Sequence, residues 1–303
     1  MTNYYILYKI ETEKRGVNDI MFGRRKDGKE IKDAPAIFRI IPCIMKERSD
    51  SQVFFNQDVV ITAMEDYISK KAEEGIKITI MDIVFAAVVR IIGERPQLNR
   101  FAINGRIYNR NEITISIAVK KSMSDDGEET TLKIPFTGKE NIFEVTKKIQ
   151  EMIEENKKIE TENGTDKLAG ALAKTPTGIL KIAVGFLKFL DKHGYMPRSV
   201  INVSPFHTSC FITNVGSLGI NSIYHHLYNF GTTSMFLAIG KKKKSYIYED
   251  DEINKEKCIN IGFVGDERIC DGYYFAYSFR QLTKYLMHPE ILEGQVKKEE
   301  ELV

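Results

Sequence analysis

The stretch IMDIVFAAVVRIIGE, residues 80–94, limits the fold more than any other part of the sequence. Thr79 just before it and Asp82 in its first turn form a helix start signal, a hydroxyl and a carboxylate three residues apart that satisfy each other's free backbone N–H. Pro96 stops the helix, because it has no N–H to donate and its ring clashes with the preceding turn. Between these signals, apolar residues fall on nearly every side. A helix with no polar face has to be buried, so the rest of the chain must cover it on all sides.

The segments around it read as such layers. SQVFFNQDVVIT (51–62) is rich in β-branched and aromatic residues and reads as a strand. Thr62 and Glu65 form a second start signal, for a helix that runs to about Glu74 and stops at Gly75. Val60, Met64, Tyr67, Ile68 and Lys71 share one side of it. FAINGRIY (101–108) is a hairpin, since Asn104-Gly105 supplies the two positive-φ residues that a tight turn needs. ITISIAV (113–119) is a strand, SDDGEE (124–129) a polar loop, 141–158 a charged helix and ETENGTD a linker. SCFITNVG (209–216), SMFLAIG (234–240) and CINIGFVG (258–265) are core strands. The lysine-rich 241–257 is the exposed hairpin between the last two. Phe275, Phe279, Leu282 and Leu286 give a final helix, from Gly272 to about Met287, one apolar face. The first 35 residues are mixed and charged, with RRKDGKE (24–30) as a loop.

ILKIAVGFLKFLDKHG (179–194) is apolar except for a narrow stripe of Lys181, Gly185, Lys188 and Lys192. It reads as a helix buried over most of its surface. A wall for a hydrophobic ligand and a contact with a membrane surface are the sharper readings, and membrane contact is not expected. Strands and helices alternate but hairpins also occur, which predicts an α/β fold with a two-layer mixed β-sheet covered by helices. No dinucleotide fingerprint, phosphate-binding loop or nucleophile elbow is present.

The balance of 44 basic against 42 acidic residues argues against a nucleic-acid binder, whose affinity rests on excess Lys and Arg. Cys43, Cys210, Cys258 and Cys270 have neither paired nor zinc-ligand spacing and read as reduced, buried thiols, with no metal. There is no secretory signal at the N-terminus. The longest apolar run, Ile83 to Val89, is far shorter than the roughly 20 residues that span a bilayer. A cytoplasmic protein with no transmembrane segment is expected.

Three further segments carry a resemblance. PQLN (96–99) ends the buried helix ahead of a hairpin, FITNVGSLG (211–219) forms a strand and turn, and GDERICDGYYFA (265–276) opens the last helix. In this order and spacing they resemble the catalytic domain of the chloramphenicol and dihydrolipoamide acyltransferases, whose last helix opens with His-x-x-x-Asp-Gly. The similarity runs from about residue 33 to 292 of a single domain, with 1–32 as an N-terminal extension and 293–303 as a charged tail. It implies a chloramphenicol acetyltransferase-like fold, a homotrimer with sites between subunits, coenzyme A or acyl-CoA as substrate and a small-molecule acyl acceptor. With the match starting near residue 33, no lipoyl-bearing segment is expected on this chain.

In that family a histidine takes the acceptor's proton and a Ser or Thr hydroxyl donates to the oxyanion of the tetrahedral intermediate. The resemblance places Thr213 at the hydroxyl position, with Asn214 beside it, and Asp271 at the aspartate that orders the loop. The histidine position is Glu267. An ordinary Glu, at about 4.3, facing a thiol at about 8.5 leaves a gap of roughly 4 pH units, about 6 kcal/mol. Burial in an apolar channel can close that gap. Three readings follow. Glu267 is the base, or a histidine near the channel (His207, His225 or His226) replaces it, or catalysis is lost and the fold is kept for binding or assembly. In the last case Arg268 would neutralise Glu267. Adjacent residues on an extended chain point opposite ways, so only one of His225 and His226 should face the site, and a zinc site from the pair is disfavoured. Lys241 and Lys242 are candidates for the phosphates of coenzyme A, and GRRK (23–26) is a further basic stretch; solvated lysines guarding a sheet edge are the plainer explanation.

Overall fold

The computed structural model describes residues 25–120, 129–157, 170, 174–249 and 251–294. In chain order they form strand β1 (Gly28–Glu30), helix α1 (Ala36–Ile44), β2 (Gln52–Val60), α2 (Thr62–Glu73), α3 (Ile80–Glu94), β3 (Arg100–Ile103), β4 (Arg106–Arg110), β5 (Ile113–Lys120) and β6 (Glu129–Phe136). These are followed by α4 (Ile142–Lys157), α5 (Thr177–Lys192), α6 (Arg198–Val203), β7 (Cys210–Asn214), β8 (Met235–Glu249), β9 (Glu252–Asp266) and α7 (Gly272–Met287).

The main sheet has six strands in the order β2-β9-β8-β7-β5-β6, and a small antiparallel sheet has the order β1-β4-β3. In the main sheet β7 lies parallel to both β5 and β8, while the other pairings are antiparallel. One face packs against α2, α3, α4 and α7 in a single apolar cluster that joins Ile115, Ile212, Leu237, Ile261 and Phe263 of the sheet to Met64, Phe85, Val145 and Phe279 of the helices. The architecture is the expected two-layer mixed α/β fold. Helix α3 is buried from Asp82 to Ile92 and opens with the reciprocal Thr79–Asp82 cap. The turn of the β3–β4 hairpin is made by Asn104 and Gly105, both at positive φ.

Several local expectations are corrected. The Thr62–Glu65 pair does not cap α2: the helix starts one residue earlier, with Ile61 as N-cap. Glu65 instead binds Lys242 and Lys257 of the neighbouring hairpin, at 2.7 and 2.9 Å. Part of the loop expected at 24–30 is strand β1, which pairs with β4, and Arg25 and Asp27 beside it are nearly buried. Helix α1 and strand β6 have no counterpart in the sequence reading. Of the polar loop expected at 124–129, residues 124–128 lie outside the described residues, as does the ETENGTD linker. Cys43 is exposed, unlike the other three cysteines. The largest departure is α5, in which Asp191 is the one buried residue.

Candidate functional site

Strand β7 sets the position of Thr213. Cys210 and Ile212 point into the helix-covered core, so by the alternation of a strand Phe211 and Thr213 face the other side of the sheet. Thr213 stands level with Ala238 and Gly262, two residues too small to cover it. It is half-buried, and among the described residues its hydroxyl has no hydrogen-bond partner. Asn214 is committed to structure: its side chain accepts from Ser217 N at 3.3 Å and caps the turn after the strand. The loop that follows folds back over this outer face. A Cβ on Gly262 would lie 2.7 Å from the Ile223 carbonyl oxygen, so the loop rests directly on the glycine backbone.

At the other end of the sheet, the turn after β9 carries Glu267 and Arg268. Arg268 does not neutralise Glu267, the pairing that would have favoured the loss-of-catalysis reading. Its Nε and Nη2 bind the two oxygens of Asp266 at 2.8 and 2.7 Å, and Nη1 donates to the Met45 carbonyl at 3.0 Å. Asp266 has no solvent exposure and also accepts from the Ser51 hydroxyl at 3.0 Å. Arg48 approaches the Oδ2 oxygen that Arg268 Nη2 also binds, with Nε at 3.5 Å. The Arg48 guanidinium is pushed down to about 10, chiefly by burial, although Asp266 pulls it back up. This cluster, together with the bond from Glu267 N to Ser51 O at 2.9 Å, holds the turn rigidly. The Glu267 side chain is half-buried and, among the described residues, has no ion pair or hydrogen bond. Asp271 caps α7, accepting from Tyr274 N at 2.7 Å, and so fixes the helix that follows the turn.

The register places Thr213 and Glu267 far apart within one chain. Cys210 is level with Met235, and Met235 with Gly265. Thr213 lies three residues to one side of that row and Glu267 two to the other. At about 3.3 Å per residue along the strands and about 4.8 Å between neighbouring strands, the separation is roughly 19 Å. No side-chain rotation closes it.

None of the three candidate histidines hydrogen-bonds or ion-pairs with Glu267 among the described residues. His207 is buried, with Nδ1 2.8 Å from Ser204 Oγ and Nε2 3.2 Å from Asp191 Oδ1, an ion-pair distance without a well-aligned hydrogen bond. Burial pushes its pKa below the ordinary value, against the pull of Asp191. For Asp191, burial raises the carboxyl, but His207 and Arg25 outweigh it and hold it at about 2. Arg25 Nη2 reaches Asp191 at 2.9 Å, so this cluster anchors the end of α5. His225 and His226 do not point opposite ways: their rings stack at 4.7 Å, with His225 also flat on Phe236 at 4.3 Å.

These groups predict a pH dependence of stability. The unfolded chain protonates His207 near 6.5, whereas burial places its folded pKa lower, so between the two values the unfolded state binds more protons. Stability therefore falls as the pH drops below about 6.5, with a limiting slope of about 1.4 kcal/mol per pH unit. Asp191, depressed in the fold, adds stability that is full above about pH 4 and is lost as the pH falls through about 2. Thermal melting between pH 5 and 7 measures the first effect. An unchanged slope in His207→Gln would assign it to another group.

Residues 205–293, which include Thr213, Glu267 and Asp271, match the family model of the 2-oxoacid dehydrogenases acyltransferase (catalytic domain). Three solved structures share the topology. A protein described as a probable dihydrolipoamide acetyltransferase from Listeria monocytogenes 4b F2365 is 19% identical, with a TM-score of 0.53 over 86% of this chain and 94% of that one. The chain has the acyltransferase fold. A truncated catalytic core of the 2-oxoacid dehydrogenase multienzyme complex from Thermoplasma acidophilum is 17% identical, at 0.53 over 86% and 99%. A chloramphenicol acetyltransferase is 11% identical, at 0.52 over 86% and 99%. No curated protein sequence matches the chain.

On this acyltransferase fold the two candidate lysines differ. Lys242 is held by Glu65, whereas Lys241 is exposed and has no ion pair among the described residues. Arg25, from the GRRK stretch, is buried against Asp27 and Asp191. Among the described residues no group of three or more His, Cys, Asp or Glu gathers to hold a metal, and no helix is long and apolar enough to cross a membrane. Sequence reasoning missed the Arg48–Asp266–Arg268 and Arg25–Asp191–His207 clusters. Asp191 carried a signal, as the one acidic residue of an otherwise apolar and basic helix.

Proposed function

We propose that the protein transfers an acyl group from an acyl thioester, with acyl-CoA as the donor class, to a small-molecule acceptor, at sites formed between copies of the chain in a homotrimer. The observation that carries this reading is the pair of unpartnered groups, the Thr213 hydroxyl and the Glu267 carboxylate, too far apart to meet within one chain. A neighbouring copy that brings its Thr213 to Glu267 completes a site. Phe54, Ile223 and Tyr224 are exposed on the sheet face that carries Thr213, which supports packing of a second copy there.

In the site so formed, the Glu267 carboxylate accepts the proton of the acceptor's O–H or S–H. The freed oxygen or sulfur attacks the thioester carbonyl, and the Thr213 hydroxyl donates to the oxyanion. The intermediate collapses, the C–S bond breaks, and the departing thiolate takes the proton back from Glu267. Burial between subunits supplies the apolar surroundings that raise a carboxyl toward the range in which it works as a base. Asp271 and the Asp266–Arg268 pair position the turn. Lys241 is the lysine left to meet the phosphates of the donor.

A second reading, a relative that binds an acyl or CoA-like ligand without turning it over, is favoured by the glutamate itself at the histidine position. Calorimetric titration with acetyl-CoA and longer acyl-CoAs, repeated on Glu267→Gln and Glu267→His, separates the two. Binding accompanied by thioester cleavage that Glu267→Gln removes supports transfer. Binding without cleavage supports the second reading, and no binding to any acyl-CoA overturns both.

A further inference from the structure

Helix α5 has the composition of a core helix and the exposure of a surface one. Ile179, Ile182, Phe186 and Phe189 are 59%, 74%, 59% and 52% exposed, which removes the expectation of burial on which membrane contact was set aside. Their spacing of three or four residues puts them on one side of a rod about 24 Å long. Lys181, Lys188 and Lys192 form a second row beside them, all exposed. The one acidic side chain of the helix, Asp191, is turned inward and spent on Arg25 and His207. Seen from outside, α5 is an apolar stripe edged by positive charge.

We infer that α5 is a docking element for an anionic lipid bilayer, lying in the plane of the headgroups with Ile179, Ile182, Phe186 and Phe189 in the acyl boundary. Charge decides the occupant. A second copy of α5 would set one row of lysines against another, with no exposed carboxylate on the helix to pair them. A surface of lipid phosphates complements both the lysines and the apolar stripe. Tyr195, 43% exposed just beyond the helix, has the amphipathic ring that settles at such an interface. Helix α1 adds a second apolar element, with Ile37, Ile40 and Ile44 all at least half exposed. A cleft of about 620 Å³ lies between the two helices, lined by Pro42 and Cys43 on one side and by Lys188 and Lys192 on the other. The floor of the cleft includes Arg268, the neighbour of Glu267. The inference does not depend on the acyl-transfer reading, because its test measures binding alone.

The test is flotation of the full chain with vesicles of phosphatidylcholine and with vesicles containing roughly one-third phosphatidylglycerol. The expected result is flotation with the anionic vesicles at least roughly ten-fold above the neutral ones, weakened by salt at about 0.5 M. The double variant Ile182→Asp with Phe186→Asp, at exposed positions, should fold normally by circular dichroism and lose flotation. The chain has no tryptophan, so Phe186→Trp gives a single reporter whose emission should shift to the blue on adding anionic vesicles. Absence of flotation with anionic vesicles, or flotation unchanged in the aspartate variant, would overturn the inference. So would a fall in solution mass of that variant without any vesicle binding by the parent protein, which would assign the face to contacts between copies.

Discussion

Under the proposed acyl transfer, Glu267→Gln should lower the rate of acyl-CoA thioester cleavage by about 10²–10⁴-fold, the usual worth of a positioned general base, while acyl-CoA binding should stay nearly unchanged. Gln keeps the size and a hydrogen-bonding oxygen but cannot take a proton at neutral pH, so the loss falls on the turnover rate rather than on affinity. Release of free thiol measures the rate, and calorimetry the binding. Thr213→Ala removes the oxyanion donor and should cost about 10²–10³-fold. Because one copy would supply Glu267 and the next Thr213, a mixture of the two inactive variants has an unusual property. After unfolding and refolding together in equal amounts, about one quarter of the interfaces pair an intact Glu267 with an intact Thr213. Recovery of about a quarter of the parent activity is the expected result, and no recovery would place both groups in sites that a single chain completes.

Asp266→Ala should destabilise the fold by about 3–5 kcal/mol, the cost of leaving a buried charge without its partner. Asp266 has no solvent exposure, and the Arg268 and Arg48 side chains that share it are each only 3% exposed. Removing the carboxylate leaves two nearly buried positive charges without the anion they share. Arg48 retains its bonds to the Tyr228, Gly231 and Ala102 carbonyls and cannot easily move out to water. At about 2–4 °C per kcal/mol for a chain of this size, the midpoint falls by on the order of 10 °C. Adding Arg268→Met should recover part of the loss, because an apolar side chain of similar length costs nothing to keep buried beside Arg48. A fall below about 1 kcal/mol in the single variant, measured by denaturant unfolding, would mean that water enters the cluster.

The layers were readable from sequence because each is written in a local pattern. Helix α3 is capped by Thr79 and Asp82 and apolar all round, and the Asn104-Gly105 turn admits few alternatives. Thr213, Glu267 and Asp271 were found through a resemblance in ordered segments, and the structure adds where they stand. Long-range pairings were not readable. Arg25 meets Asp191 across 166 residues and Arg48 meets Tyr228 across 180, and nothing near either arginine marks its partner. Glu65 shows the same limit from the other side. Its spacing from Thr62 suits a helix cap, but two lysines of a distant hairpin compete for the carboxylate and win. Helix α5 failed for a further reason, since apolar composition measures a wish to leave water and does not say which partner provides the shelter.

The parallel pairing of β5 with β7 has a consequence for the birth of the molecule. β5 ends at Lys120 and β7 begins at Cys210, so a ribosome adding about 5–20 residues per second leaves that edge of β5 open for roughly 5–20 s. Through that interval Ile115 and Ile117, fully buried at the end, sit on a strand paired with β6 on one edge and without a mate for the hydrogen-bonding groups of the other. The β8–β9 ribbon, by contrast, closes on itself as soon as it emerges. The half-made protein thus carries a sticky seam that nothing in its own completed part can cover, and synthesis at low temperature or high crowding should send it first to holding chaperones.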